Sequence, residues 1–220
     1  MTTSYRKYFT PTLLLAIMLA AMLGSSWNDS AIFDETAHIP SGYAISFLRD
    51  YRLNPEHPPL AKALAALPLI AVKTIFPTDV KSWQEDINGQ WDQGRVFLYE
   101  AGNNADVILR LMRSPTMLLS LLLGLFLWLW ARKNFDRRIA NLALFFYAFS
   151  PTVIAHSRFV TTDIAAMFGF FIGITTFILF MKNPSLKNTA LAGLSFGAAM
   201  LMKFSLILLI PAYAIMIIGF

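Results

Sequence analysis

Two adjacent carboxylates, Asp34 and Glu35, are the first residues along the chain whose types and spacing suggest chemistry. They follow Trp27, where the first apolar run ends, by only seven and eight residues. Adjacent side chains on a helix point about 100° apart, so one carboxylate can act as a general base while the other makes a structural or metal contact. The alternative is that both cap a helix, because acidic residues in a first turn interact favourably with the helix dipole.

A second group of candidates precedes an apolar stretch that begins with two prolines. Glu56 and His57 stand directly before Pro58 and Pro59. Proline suits the first turn of a helix, where its missing amide donor would be unpaired in any case. The free amides at a helix start beside a membrane can bind an anion such as a lipid phosphate. A simple turn explains the same residues equally well.

The remaining candidates, Arg158, Asp163 and Lys203, lie beside later apolar runs. Arg158 and Asp163 belong to the short loop SPTVIAHSRFVTTD and could form an ion pair within it. Lys203 separates two apolar runs, and an unpaired charge in hydrocarbon costs about 3 kcal/mol on insertion scales. Its ammonium therefore either extends to water or pairs with a phosphate.

The amino-acid composition indicates whether water or lipid surrounds the helices that position these residues. Hydrophobic residues make up 56% of the 220 residues and charged residues only 14%, which is too apolar for a soluble domain of this size. Cysteine is absent, so disulfides, cysteine-based zinc sites and thiol nucleophiles are excluded. The net charge of +5 does not indicate nucleic-acid binding, because the Lys and Arg residues cluster at the ends of apolar runs, where they orient helices in a bilayer.

Several apolar runs are long enough, or nearly so, to cross a hydrocarbon core about 30 Å thick. They cover residues 11–27, 114–131, 139–156, 164–181, 188–202 and 204–220. A further apolar stretch, 57–76, is interrupted by Lys62 and Lys73 and by three prolines, and is predicted to lie at the membrane interface. In that arrangement the basic loops RKNFDRR and KNPSLK fall on the same side as Arg6 and Lys7, as the positive-inside rule requires.

The sequence therefore predicts an all-α, polytopic transmembrane bundle with about six crossings. Residues 1–27 would be the cytoplasmic N-terminus and the first transmembrane helix. Residues 28–113 would form a long non-cytoplasmic loop with interfacial helices, and residues 114–220 the remaining transmembrane helices. Because the chain stops at Phe220 inside an apolar run, we expect that it is truncated.

Four segments, taken in order, resemble a known class of membrane enzyme. They are the DE pair after the first helix, NPEHPPLAK, RLMRSPTMLLSLLLGLFLWLWARKNFDRR and FSPTVIAHSRFVTTD. The chain resembles the N-terminal part of the GT-C glycosyltransferases of the protein O-mannosyltransferase and aminoarabinose transferase type. This resemblance implies an inverting transfer of a sugar from a polyprenyl or dolichyl phosphate to a protein or lipid acceptor. It also implies a bacterial or archaeal plasma membrane, with the active site facing outside.

The resemblance assigns roles to the acidic candidates. Asp34 matches the catalytic base, Glu35 its acidic neighbour, and Asp163 a second acidic residue at the same face. Glu56 matches a position that can help to hold a divalent metal ion, which is the one cofactor implied.

The basic candidates match contacts to the donor phosphate. Lys203 and Arg158 would be cationic contacts, whereas His57 stands where some relatives have a phosphate-binding lysine. A neutral imidazole binds an anion more weakly than an ammonium group does, so this substitution weakens the case for a phosphate contact at His57.

Two functions of other classes compete with this interpretation. A transporter would place ionisable residues near the middle of helices and show repeat symmetry between its halves, and the sequence has neither feature. A non-catalytic membrane scaffold would make the same residues structural. Replacing Asp34 in an activity assay distinguishes these alternatives from an enzyme.

Overall fold

A computed structural model of the chain describes residues 5–219, with side chains from Tyr8 onward. The described residues are helical, and no strand occurs among them. The helices are α1 (Tyr5–Ser26), α2 (Phe33–Tyr43), α3 (Pro59–Ala66), α4 (Lys81–Gln84), α5 (Gln90–Arg95), α6 (Ala105–Asn134), α7 (Arg137–Ala148), α8 (Pro151–Ser157), α9 (Asp163–Lys182), α10 (Leu186–Met202) and α11 (Leu209–Gly219). Short π-helical turns extend α2 and α5, while 3₁₀ turns extend α3 and precede α11.

The predicted fold class, an all-α membrane protein, is confirmed. The described helices that are long and apolar enough to cross a membrane are α1, α6 and α9, and the bent pair α7 and α8 makes a fourth if it is one span. The helix α10 has 17 residues, and the stretch Phe204–Gly219 is also shorter than a usual span. The expected total of about six crossings therefore stays a prediction.

The segments that carry the candidate residues meet at one end of the bundle. Arg113 near the start of α6 donates to the carbonyl of Ser26 at the end of α1. Glu35 in α2 accepts a hydrogen bond from the amide of Val160, between α8 and α9. Because α9 and α10 pack with opposite directions, the end of α10 also lies here. The basic loops RKNFDRR and KNPSLK consequently lie at the opposite end.

The segment between α1 and α6 packs tightly on itself through two glycines. A Cβ atom at Gly42 in α2 would lie 2.4 Å from the carbonyl oxygen of Lys62 in α3. One at Gly94 in α5 would lie 1.8 Å from the carbonyl oxygen of Thr36 in α2. Any side chain would force these backbones apart, so glycine is required for α2 to contact both neighbours.

Two boundaries differ from those expected from hydropathy. The helix α6 begins at Ala105 rather than at 114, because the Asn104 side chain accepts a hydrogen bond from the amide of Val107 and caps it. With 30 residues it is about 45 Å long, so its first turns extend beyond the hydrocarbon core. The apolar run 139–156 is not one helix: α7 and α8 meet at 62°, with Pro151 opening α8.

Candidate active site

Asp163, the first residue of α9, is the centre of a charged cluster. Its Oδ1 accepts a hydrogen bond from Nζ of Lys203 at 2.7 Å, and its Oδ2 lies 3.2 Å from Nδ1 of His156. The three side chains are between 26% and 47% exposed, so the cluster is open to a ligand. An ammonium group has three N–H donors, and Lys203 uses one of them on Asp163 within the described residues.

Lys203 reaches this cluster because the helix stops there. The helix α10 ends at Met202, and Lys203 has an extended backbone (φ −157°, ψ 136°) before the chain turns into a 3₁₀ segment. This break occurs where α10 passes the start of α9. The lysine that interrupts two apolar runs in the sequence therefore has a partner at the membrane boundary, which removes the cost of an isolated charge.

Asp34 lies in the first turn of α2, and its side chain is exposed. Its carboxylate makes no hydrogen bond or ion pair within residues 5–219, although it acts electrostatically on His38 and His57. The capping role considered from the sequence falls to its neighbour instead, since Glu35 accepts a hydrogen bond from the amide of Ile32 at the start of α2. Asp34 is thus a carboxylate that can accept a proton from a ligand.

Two histidines stand beside Asp34 and are held in the neutral form. The rings of His38 and His57 meet edge to face, with their centroids 5.0 Å apart. Burial, followed by the neighbouring His57 and Lys62, lowers the pKa of His38 to about 4. Burial, followed by Lys62 and Lys203, also lowers the pKa of His57. At neutral pH His57 is therefore uncharged, and Lys203 is the better cation for a phosphate.

A buried hydrogen-bond network holds the loop that presents His57. Nζ of Lys62 donates to the carbonyl oxygens of Asn54 and His57 at 2.7 and 2.8 Å, and to Oδ1 of Asn54 at 3.1 Å. The Asn54 backbone is left-handed, with φ +54°. Nδ1 of His38 lies 3.1 Å from the same Oδ1, so it is the nitrogen that carries the proton. Burial lowers the pKa of Lys62 to about 8.

Glu56 belongs to this network through its side chain. Its Oε1 accepts hydrogen bonds from the amide groups of Asn54 and Gln90 at 2.9 and 2.8 Å. In the part of the chain that the structure describes, no three His, Asp or Glu side chains come together as a metal ion would require. The divalent metal ion at Glu56 that the resemblance implies therefore stays a prediction.

Glu35 points away from Asp34, into the protein interior. It forms a doubly hydrogen-bonded ion pair with Arg113 at 2.8 and 2.7 Å, and both side chains are at most 1% exposed. The remaining Arg113 N–H groups donate to the carbonyls of Ser26, Asp29 and Ser30. This pair joins α1, α2 and α6, and leaves Glu35 no access to a ligand.

Arg158 is bound near the end of α1. It donates to the carbonyl of Ser25, lies 3.3 Å from Oδ2 of Asp29 and stacks on the ring of Phe159. The ion pair between Arg158 and Asp163 that the sequence allowed does not form, because His156 and Lys203 take both oxygens of Asp163.

The structure brings Asp34, His57, Asp163 and Lys203 to the same end of the bundle. Lys203 acts electrostatically on His57, which Asp34 also influences, so α2 and the Asp163 cluster belong to one charged region. An apolar groove of about 350 Å³ adjoins it, lined by α3, α6 and the starts or ends of α9 and α10. Its residues nearest the cluster are Thr161, Ala165 and Met202, and it extends to Leu64 and Leu122.

The sequence pattern does not single out His38, Asn54, Lys62 or Arg113 for the site, and it indicates His156 only as a member of the loop SPTVIAHSRFVTTD. His38 follows Asp34 by one helical turn, so helix periodicity could have placed the two on the same face. Lys62 was noticed only as an interruption of an apolar run. No local signal links Arg113 to Glu35, which lies 78 residues earlier.

Comparison with protein families matches residues 103–220, more than half of the chain, to the dolichyl-phosphate-mannose-protein mannosyltransferase family. The chain belongs to this family. Membership confirms the resemblance drawn from the sequence, and means that this mannosyltransferase-family chain is an integral membrane protein of the glycosyltransferase class. The matched range contains Arg158, Asp163 and Lys203, whereas Asp34, Glu35, Glu56 and His57 precede it. Comparisons with curated proteins and with solved structures gave no match.

Proposed function

We propose that the protein transfers a sugar, with inversion, from a polyprenyl or dolichyl phosphate to a hydroxyl or amine of a protein or lipid acceptor. The site would face the outside of a bacterial or archaeal plasma membrane. The observation that carries the proposal is the combination at one end of the bundle: an exposed, unpaired Asp34 near a lysine that has donors to spare, beside an apolar groove.

Asp34 is the proposed general base. The acceptor oxygen or nitrogen attacks the anomeric carbon and gives its proton to the Asp34 carboxylate. The bond between the anomeric carbon and the phosphate oxygen breaks, and the lipid phosphate leaves with the electron pair. Lys203 stabilises the negative charge that develops on this phosphate, because it is partly buried and has N–H groups that Asp163 does not use.

Asp163 and His156 position the proposed site. Asp163 holds Lys203 by a hydrogen bond of 2.7 Å and thereby fixes the direction of the ammonium group. His57, neutral at pH 7, can donate a hydrogen bond to phosphate or acceptor without adding charge. Glu35 has no chemical role in this mechanism: it anchors the turn from which Asp34 projects.

The groove between α3 and α6 gives the lipid chain of the donor a place to bind. It is almost wholly apolar, and it begins beside Thr161 and Met202, the neighbours of the charged cluster. A donor lying there would have its phosphate at the cluster and its isoprene units among aliphatic side chains. This arrangement explains why a polar site stands at the boundary of a membrane protein.

Replacing Asp34 by Asn in the full chain tests the proposal. We expect the turnover of a lipid-phosphate sugar to fall by a factor of about 10²–10⁴, as is usual for loss of a general base, while membrane abundance and donor binding are kept. Asp79→Asn is the matched control, since Asp79 is an exposed carboxylate of the same segment. Full activity of Asp34→Asn would exclude Asp34 as the base.

The orientation of the site is tested separately with sealed membrane vesicles and a water-soluble, short-chain donor. Turnover in right-side-out but not in inverted vesicles would support the outside orientation, and turnover only in inverted vesicles would contradict it.

A further inference from the structure

A second groove lies at the opposite end of the bundle, between α6 and α9. Its volume is about 430 Å³. The α6 wall includes Phe126, Leu129 and Trp130, and the α9 wall includes Ile172 and Leu179. This groove is separated from the Asp163 cluster by most of the length of α9, so it is not part of the proposed active site.

The groove is more apolar than its residue types suggest. Thr175 and Thr176 line it, but their hydroxyl groups donate to the carbonyls of Phe171 and Ile172 in the preceding turn, both at 2.7 Å. Their hydrogen atoms are therefore used within the helix and do not face a ligand. Apart from Lys133, Asn134 and Lys182, the side chains that line the groove then present hydrocarbon, which suits an acyl chain.

Two lysines stand where the groove meets the end of the bundle. Lys133 and Lys182 lie in the last turns of α6 and α9, and neither has a hydrogen bond or acidic partner among residues 5–219. The nearest acidic residue in sequence is Asp136, whose Oδ1 accepts from the amide of Ile139 and caps α7. Interaction with the helix ends and the positive-inside rule account for lysines at this end. The packing of α6 against α9 places these two along one apolar groove.

We propose that this groove binds an anionic phospholipid, with an acyl chain along Leu129 and Ile172 and the phosphate at Lys133 and Lys182. Charge complementarity favours an anionic lipid over a zwitterionic one, because basic pockets between transmembrane helices bind acidic head groups at the surface where they cluster. The loops RKNFDRR and KNPSLK, which lie at this end, together carry six Lys and Arg residues and one acidic residue, Asp136.

The test measures lipid binding and does not use glycosyltransferase activity. The purified full chain is titrated with phosphatidylglycerol or phosphatidylcholine, and bound lipid is counted by native mass spectrometry. We expect the wild type to bind phosphatidylglycerol about tenfold more tightly than phosphatidylcholine. The double variant Lys133→Gln/Lys182→Gln should lose about tenfold in affinity for phosphatidylglycerol alone.

Two further variants separate the groove from its surroundings. Arg138→Gln/Lys187→Gln removes the same charge from exposed positions at the same end and should keep the preference. Ile172→Trp fills the groove while keeping both lysines, and should lose binding of phosphatidylglycerol. Equal loss in both charge-removing variants would show a diffuse basic surface, and unchanged binding in Ile172→Trp would show that the groove is not used. Either result overturns the proposal.

Discussion

Two of the carboxylate–cation pairs at the candidate-site end of the bundle, Glu35 with Arg113 and Asp163 with Lys203, differ in burial. Glu35 and Arg113 are at most 1% exposed, and every N–H group of the guanidinium has an acceptor. Asp163 and Lys203 are 38% and 26% exposed, and the ammonium has donors to spare. The first pair is complete without a ligand, whereas the second is not.

This difference in burial distinguishes a pair that stabilises the fold from a pair that belongs to the proposed site. A buried pair is costly to break, because the remaining charge is left without solvent or partner. A half-exposed pair contributes little to stability, since water can replace either partner. We therefore expect changes at the first pair to affect folding, and changes at the second to affect donor binding.

The largest effect is expected from Arg113→Met. This change leaves Glu35 buried without its cationic partner and removes the side-chain donor from the carbonyls of Ser26, Asp29 and Ser30. Loss of one member of a buried pair costs about 3–5 kcal/mol, so the variant should fall to low abundance in membranes. Chemical unfolding of the purified protein, followed by tryptophan fluorescence, measures the change in free energy of unfolding.

Arg110→Met is the control for this variant. Arg110 lies one turn earlier in α6 but is partly exposed, with a long contact of 3.9 Å to Asp106. Its loss should cost less than about 1 kcal/mol. Similar stability of the two variants would show that the buried pair does not hold α1, α2 and α6 together.

A second effect concerns pH and the neutral His38. Its pKa is about 4 in the folded chain against 6.5 for an ordinary histidine, so between these values the unfolded state binds the proton more readily. Stability is then full above pH 6.5 and is lost as the pH falls toward 4, by up to about 3 kcal/mol. His38→Asn keeps a donor for Asn54 but cannot titrate. Unfolding curves at pH 7 and 4.5 should show a smaller loss in this variant, and equal losses would exclude His38 as the cause.

The third prediction concerns the exposed pair. Lys203→Met should change stability by less than about 1 kcal/mol, because Asp163 can be solvated and keeps His156. Donor affinity should fall about tenfold to a hundredfold, which is the range for losing a hydrogen bond to a charged group. Lys203→Arg should retain part of the affinity, since it preserves charge but changes geometry. Unchanged binding of a lipid-phosphate sugar by Lys203→Met would remove this lysine from the site.

The smallest effect is expected from Arg158→Gln. Arg158 is held by Asp29 and a carbonyl of α1, in a partly exposed position. We expect a stability loss below about 1 kcal/mol and a donor affinity within about twofold of the wild type. A tenfold loss of donor affinity, measured in the same binding assay, would place Arg158 among the phosphate contacts that the family resemblance implies.

The sequence determined which parts of the chain are helical and apolar, because hydropathy and helix period are local properties. It located the spans α1, α6 and α9 to within a few residues, apart from the early start of α6. It also selected Asp34, Asp163 and Lys203, since ionisable groups beside apolar runs are costly and therefore conspicuous. The bend between α7 and α8 was missed, although Pro151 marks it, because apolar residues continue through it.

Only the tertiary structure decided which of two adjacent carboxylates is exposed and which is buried. Asp34 and Glu35 are equivalent by type and position in the sequence, and their different environments depend on Arg113, far along the chain. In the same way, His156 and Lys203 become partners of Asp163 only when α9 and α10 pack in opposite directions. The strength of an ion pair depends on the distance between its charges and on their burial. Neighbouring residues in the sequence determine neither quantity. The buried Glu35–Arg113 pair and the exposed Asp163–Lys203 pair therefore became distinguishable only in the folded chain.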